Sequence, residues 1–312
     1  MKLINYLIFC TIFFTIFFNS AYSQVPRMVI AGGQQIFVIE PDRSVSWVFG
    51  CYDGVYDVWP LSNGNFLFSH KYGVCEVSHG KKIVWEYSLE HNALNEINSC
   101  QPLDDGNILI LDSGNNRLIE VNRKKDIMVE IKLPSTAKSP HDRYRIGRKT
   151  KKSYYVSMLP YKVLKFDRNG KQTFEINMNV FGKQNKPFYA FETLPLKSGN
   201  LLFSTGYDGR FLEVTPDSKV VWEVSEKTIP WLKIQFSGGA VRLSNGNTIL
   251  CNADWHVTNK DKQEFQLLEI TKDYKLVWAI KYDDLSGLVE PYLEKKTGMN
   301  EFRVTQVKII DN

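Results

Sequence analysis

The sequence predicts an all-β chain built from repeated four-stranded sheets, and three observations carry that expectation. Four segments, Leu61–Phe68, Leu103–Ile110, Leu196–Phe203 and Leu243–Leu250, share a Leu-x-x-Gly-Asn core flanked by apolar residues. Each reads as strand, tight turn and strand, because Asn-Gly, Asp-Gly or Ser-Gly supplies the positive φ that a short hairpin needs. A large apolar residue then recurs on a later strand, at Trp47, Trp85, Val129, Phe174, Trp222 and Trp278. Helical periodicity is absent except for a short turn expected at residues 285–296. Four strands every 40–50 residues is the pattern of a propeller blade. The expected fold is therefore a six-bladed β-propeller, with seven blades as the alternative count.

The elements follow in chain order. Lys2 precedes the apolar run Leu7–Phe18, and the small-residue pattern Ala21-Tyr22-Ser23 comes next. This is the order of a cleavable signal peptide, and the run is shorter than the ~20 residues of a spanning helix. The chain is thus expected to be secreted or periplasmic, not integral to the membrane, and to form one propeller domain over residues 24–312. The first copy, Met28–Ile39 followed by Val45–Val48, lacks an innermost strand. The tail Phe302–Asn312 can supply one, so the chain ends are expected to share a blade and close the ring, leaving no open edge.

Glycines 64, 106, 199 and 246 are spaced by 42, 93 and 47 residues. The double gap requires a degenerate copy near residue 150, which Tyr144–Val156 provides. A third strand follows each hairpin, at Val74–Val77, Leu118–Val121, Val163–Phe166, Phe211–Val214 and Leu267–Ile270. The Trp row on the fourth strand is expected to wedge between neighbouring sheets rather than to hold a cofactor.

With 312 residues, 43% of them hydrophobic, and 39 basic against 34 acidic residues, the composition is that of a folded globular chain and excludes disorder and collagen-like structure. The net charge of +5 is too mild and too dispersed for a nucleic-acid partner. One basic cluster, Arg143, Arg145, Arg148, Lys149, Lys151 and Lys152, reads as a solvated hairpin, with an anion or membrane-surface contact as the alternative. Cys51, Cys75, Cys100 and Cys251 match no zinc spacing. They are expected as buried thiols, with Cys51–Cys100 or another pairing left open. No Gly-rich phosphate loop, His-Glu-x-x-His or Gly-x-Ser-x-Gly occurs, which speaks against nucleotide-dependent and helix-borne zinc chemistry.

In such a ring, the loops between blades and the loops between second and third strands lie on one face, where binding groups converge. His70 and His256 fall in second-to-third-strand loops, His91 and His141 in inter-blade connections, and only His79 on the opposite face. The same loops carry Tyr72, Arg117, Tyr161, Tyr207, Arg210 and Trp255. Aromatic faces with Arg suit a carbohydrate-like or anionic small molecule. Four residues before each hairpin Leu stands a further row, Asp57, Ser99, Asp142, Glu192, Gly239 and Thr305, expected near the channel mouth. Its three carboxylates could hold Ca²⁺ or act as acid and base.

The Gly199-Asn200 hairpin followed by Val220-Val221-Trp222-Glu223 resembles the quinoprotein-type propeller superfamily and, more distantly, its six-bladed arylsulfotransferase-like members. Uncharacterised secreted bacterial propellers are similar overall, through Asn95–Leu103 and Gly239–Leu250. The resemblance implies the fold and, in arylsulfotransferases, a histidine that accepts sulfate transiently. His141-Asp142 resembles their His-Asp pair, but no blade has a His-His-Asp sequence ahead of its Gly-Asn hairpin. No pyrroloquinoline quinone is expected, since quinone sites in that superfamily use a larger ring. The expected function is binding of a small molecule or glycan by a monomer. The alternatives are an enzyme at the same face, either an acidic-sugar lyase or a sulfotransferase with His141 as nucleophile, and a protein-interaction platform.

Overall fold

The computed structural model describes residues 24–135, 137–182, 188–253, 265–289 and 304–311. Its strands form six four-stranded antiparallel sheets arranged as a ring, a six-bladed β-propeller. Blade A takes β1 (Met28–Gly32), β2 (Gln35–Ile39) and β3 (Val45–Gly50) from the N-terminus. Blade B is β4 (Asp57–Pro60), β5 (Phe66–His70), β6 (Gly73–Val77) and β7 (Ile83–Ser88). Blade C is β8 (Ile97–Pro102), β9 (Ile108–Asp112), β10 (Arg117–Val121) and β11 (Ile127–Lys132).

Blade D is β12 (Tyr144–Lys149), β13 (Tyr154–Met158), β14 (Lys162–Phe166) and β15 (Gln172–Asn177). Blade E is β16 (Glu192–Pro195), β17 (Leu201–Ser204), β18 (Phe211–Val214) and β19 (Val220–Val224). Blade F is β20 (Ser237–Arg242), β21 (Thr248–Asn252), β22 (Leu267–Ile270) and β23 (Leu276–Ile280), followed by helix α1 (Tyr282–Val289). The last strand, β24 (Gln306–Ile309), pairs antiparallel with β1, Met28 opposite Ile309 and Ala31 opposite Gln306. Blade A is thereby completed from the opposite chain end, as the sequence predicts, and six is the blade count. Residues 1–23, the expected signal peptide, lie outside the described residues.

In blades B, E and F the repeated motif forms a lock at the hairpin end. Asn65, Asn200 and Asn247 donate from their side-chain amides to Glu76, Glu213 and Glu269 on the third strand, at 2.6, 2.7 and 2.6 Å. The locking carboxylates Glu76 and Glu213 are reached from the following blade by Arg123 and Arg242. In blade C, where Asn107 turns instead to Asp105, Lys149 and Tyr154 of blade D take Glu120. Gly-Asn and Leu-Glu-Val therefore encode blade joining.

The Trp row performs a second joining role. Trp47, Trp85 and Trp222 donate their indole N–H to the carbonyls of His79, Arg123 and Lys272, each in the next blade's turn between third and fourth strands. Trp278 instead donates to Glu269 of its own blade at 2.6 Å. Apolar residues of adjacent blades fuse into one cluster per blade junction, six in all. Each third-to-fourth-strand turn places one residue at positive φ before a one-residue register shift. That residue is Gly170 in blade D but Arg43, Lys81, Lys125, Ser218 or Tyr274 elsewhere.

Two readings of the basic hairpin and of the carboxylate row need correction. Arg148 is 2% exposed rather than solvated, and it lies between Asp57 (2.6 Å) and Glu192 (3.4 Å) on the channel-lining strands. Arg143 is held by the carbonyls of Ser113, Gly114, Ala137 and Lys138. Asp142 leaves the row. In blade D, Thr150 takes the place of the hairpin Leu, and a bulge lies between Tyr144 and Gly147. Asp142 consequently ends in a 3₁₀ turn ahead of β12, exposed.

Candidate functional site at the loop-rich mouth

Described residues that precede or open the first strand of each blade, among them Tyr56, Asn98, His141, Phe191, Phe236 and Thr305, converge on one mouth of the channel. A 3₁₀ turn, Pro140–Asp142, capped by the Ser139 hydroxyl accepting from the His141 N–H, presents His141 there. Its Nδ1 lies 2.7 Å from Oε1 of Glu96, which comes from the connection before β8. The Glu96 side chain is 5% exposed and that of His141 is 50% exposed. Asn98 Nδ2 donates to the same Glu96 oxygen at 3.0 Å, and the Ser113 hydroxyl in turn donates to Oδ1 of the Asn98 side chain.

Burial alone would raise the Glu96 carboxyl. The hydrogen bond and charge of His141, with Arg145 and Asn98, outweigh it and hold the group below its ordinary value. Glu96 is therefore an anion at neutral pH that fixes the imidazole through Nδ1, and Nε2 is the nitrogen left to act on anything bound at the mouth.

Arg145 sits beside this pair. Its guanidinium bonds the backbone carbonyls of His141 and Tyr144 through one nitrogen, and among the described residues no carboxylate forms an ion pair with it. Burial lowers its pKa, and the field of Glu96 and Tyr56 opposes that shift. Tyr56 is raised by burial first and by Glu96 second, so its phenol keeps its proton.

These groups border a cavity of about 150 Å³ lined by His141, Asp142, Arg145, Tyr189, Phe191, Tyr207 and Phe236. Tyr207 and Phe191 each meet Phe236 edge to face, at 4.9 and 4.8 Å between ring centroids. A narrower recess of about 40 Å³ continues past Val55, Tyr56, Asn98, Thr305 and Gln306. Further along β12, Arg148 with Asp57 and Glu192 occupies the channel. Arg148 and Lys308 both lie over the Trp59 ring, at 5.2 and 4.9 Å. The mouth is thus an aromatic cup closed below by a plug of buried, paired charges.

Of the residues that the sequence nominated, His141, Asp142 and Tyr207 meet at this cup. Glu192 lies beneath it in the plug, 1% exposed. The other nominees are scattered. His70 is directed between strands, 3.5 Å from Asp53 and 3.6 Å from the Cys75 thiol, and burial lowers its pKa. Tyr72 stacks on His91 at 4.3 Å. Arg117 is consumed by Asp112 (2.8 Å) and Glu130 (3.3 Å). Tyr161 packs against the junction of blades D and E. Arg210, 5% exposed, bonds Asp208 and the carbonyls of Phe181 and Gly182 and so pins a loop. Trp255 and His256 lie outside the described residues.

Glu96, Arg145, Tyr56, Tyr189, Phe191 and Phe236 were missed. Glu96 and His141 are 45 residues apart in different blades, and only the assembled ring joins them. The cation in the row offered for Ca²⁺ is Arg148, and among the described residues no group of three or more His, Cys, Asp or Glu is placed to hold a metal. All four described cysteines are free thiols. Burial pushes Cys51 and Cys75 up to about 12 and raises Cys100 and Cys251 as well.

No protein-family model matches the sequence, and no curated protein matches it. Solved structures do. A protein of unknown function from Bacteroides caccae is 22% identical with a TM-score of 0.74, covering 91% of this chain and 98% of that one. A streptogramin B lyase is 12% identical with a TM-score of 0.57, over 86% of this chain and 87% of its own. A catalytically inactive histidine-to-alanine variant of virginiamycin B lyase from Staphylococcus aureus, with quinupristin, is 14% identical with a TM-score of 0.52, over 73% and 70%. At these identities the likeness carries the fold alone. Among the described residues no helix is long and apolar enough to cross a membrane.

Proposed function

We propose that the protein binds a ring-bearing anionic small molecule, an acidic sugar or an aromatic carboxylate or sulfate, in the cup at the loop-rich mouth. The observation that carries this reading is Arg145, whose guanidinium borders an aromatic-lined cavity without an ion-pair partner among the described residues. An anion entering there gains a charge-assisted hydrogen bond, while Tyr189, Phe191, Tyr207 and Phe236 offer faces and edges to its ring. Export through residues 1–23 and kinship with quinoprotein-type propellers belong to the same proposal, on the sequence patterns given above.

The test is a thermal-shift screen with uronic-acid oligosaccharides, aromatic carboxylates and aryl sulfates, because a ligand of the native state raises the melting temperature by mass action. At least one class should raise it, and Arg145→Gln should bind that probe ten- to a hundred-fold more weakly, the equivalent of about 1.5–3 kcal/mol. His79→Ala, on the opposite face, should bind as the wild type does. Binding that Arg145→Gln leaves unchanged would overturn the reading.

The Glu96–His141 geometry favours a second reading, that the cup also moves protons. With Nδ1 held by Glu96, Nε2 of His141 can take a proton from a bound substrate or return one, as an acid–base lyase requires. Mass spectrometry of each binder after incubation should then reveal an altered product with the wild type and none with His141→Ala. Recovery of every binder unchanged removes this second reading and leaves the first intact.

A further inference from the structure

The opposite face of the ring presents a different surface. The six turns that join third to fourth strands carry eleven Lys or Arg against six Asp or Glu. Lys219 with Asp217 and Lys275 with Asp273 pair inside their turns, and Arg123 reaches Glu76. In blades B to D the turns then carry Lys81, Lys82, Lys124, Lys125, Arg168 and Lys171 against Asp126 and Asp167.

Directly after these turns, the first two residues of the outer strands are apolar and uncovered in four blades. They are Ile83-Val84, Ile127-Met128, Val220-Val221 and Leu276-Val277, each residue 39–56% exposed. Blade D places Phe174, 42% exposed, one residue further along. Blade A breaks the pattern with buried Val45 and polar Ser46. Repetition at one register position makes an interrupted strip around the rim, beside the basic turns in blades B and C.

We propose that this rim docks the protein, turn face down, on an anionic lipid surface. The charge points to that partner, because clustered Lys and Arg are attracted to anionic headgroups and the neighbouring apolar pairs can enter the headgroup–acyl boundary. Docked this way, the protein keeps the cup with His141 and Arg145 facing away from the lipid.

The experiment is co-sedimentation of the chain from Gln24 to Asn312, which contains all six closed blades, with vesicles of phosphatidylglycerol and phosphatidylcholine in equal parts, and with phosphatidylcholine alone. Wild type should bind the anionic vesicles at least tenfold more tightly than the neutral ones and lose most of that binding at high salt. Two variants address the two components: Val84→Ser/Met128→Ser/Val221→Ser/Val277→Ser, and Lys82→Glu/Lys124→Glu/Lys171→Glu. Each should lose at least fivefold in binding with an unchanged melting temperature, and if one fails to fold the other still decides. Failure to bind anionic vesicles, or binding indifferent to lipid charge, overturns the proposal. So does dimerisation that the serine variant abolishes without any lipid binding, which would assign the strip to a second copy of the chain.

Discussion

Arg148 shows how much a single side chain can organise here. Among the described residues it is the largest fully buried side chain, and it pairs with both Asp57 and Glu192. Arg148→Met would leave two carboxylates buried without their cation, a loss on the order of 3–5 kcal/mol that urea denaturation should read directly. Arg210→Ala should also destabilise, because Asp208 and two loop carbonyls lose their donor. Glu76 carries a pH signature. Burial alone would raise its carboxyl, yet hydrogen bonds from Asn65, Asn63 and Arg123 and the Arg123 charge hold it below its ordinary 4.5. A depressed carboxyl stabilises the fold fully above its unfolded value and loses that contribution as pH falls through the folded value. Stability measured from pH 6 downward should therefore drop in the acid limb, less steeply in Glu76→Gln.

At the scale of elements, the two blade-joining devices can be separated. Trp222→Phe keeps a ring against Tyr274, stacked at 6.3 Å, and deletes the indole bond to Lys272. It should cost about 0.5–1.5 kcal/mol in denaturant unfolding, whereas Trp85→Phe, whose bond is exposed, should cost less. These elements were also the most legible in the sequence. The Gly-Asn turn and the third-strand Glu are written locally, 11, 13 and 22 residues apart in blades B, E and F, because the contact they encode lies within one blade. The copy in blade D was legible only in outline. Without its glycine the hairpin register is not readable, so the sequence alone places Arg148 on the surface and Asp142 in the channel. The site was less legible still. His141 carried a signal as the histidine of an inter-blade loop, but Glu96 and Arg145 look like ordinary loop charges until the ring sets them side by side.

For the whole molecule, closure by β24 is the defining feature. Removing residues 304–312 would expose the inner, channel-facing edge of β1 and strip Val304 and Val307, both fully buried, from the junction of blades F and A. Those two side chains alone are worth roughly 1.5–3 kcal/mol each, so the melting temperature should fall by several degrees at least. A closed ring also makes the two mouths unequal. The cup lies on the side of the inter-blade loops, the plug of Arg148, Asp57 and Glu192 seals it below, and the opposite face is left to basic turns. The central claim is that function resides in the cup. It is tested most directly by a crystal structure of the protein with the tightest probe from the screen. The account predicts the probe's anionic group on the Arg145 guanidinium, with its ring among Tyr189, Phe191 and Phe236 and within reach of Nε2 of His141. A probe found instead among Lys149, Lys151 and Arg168 on the turn face would contradict it.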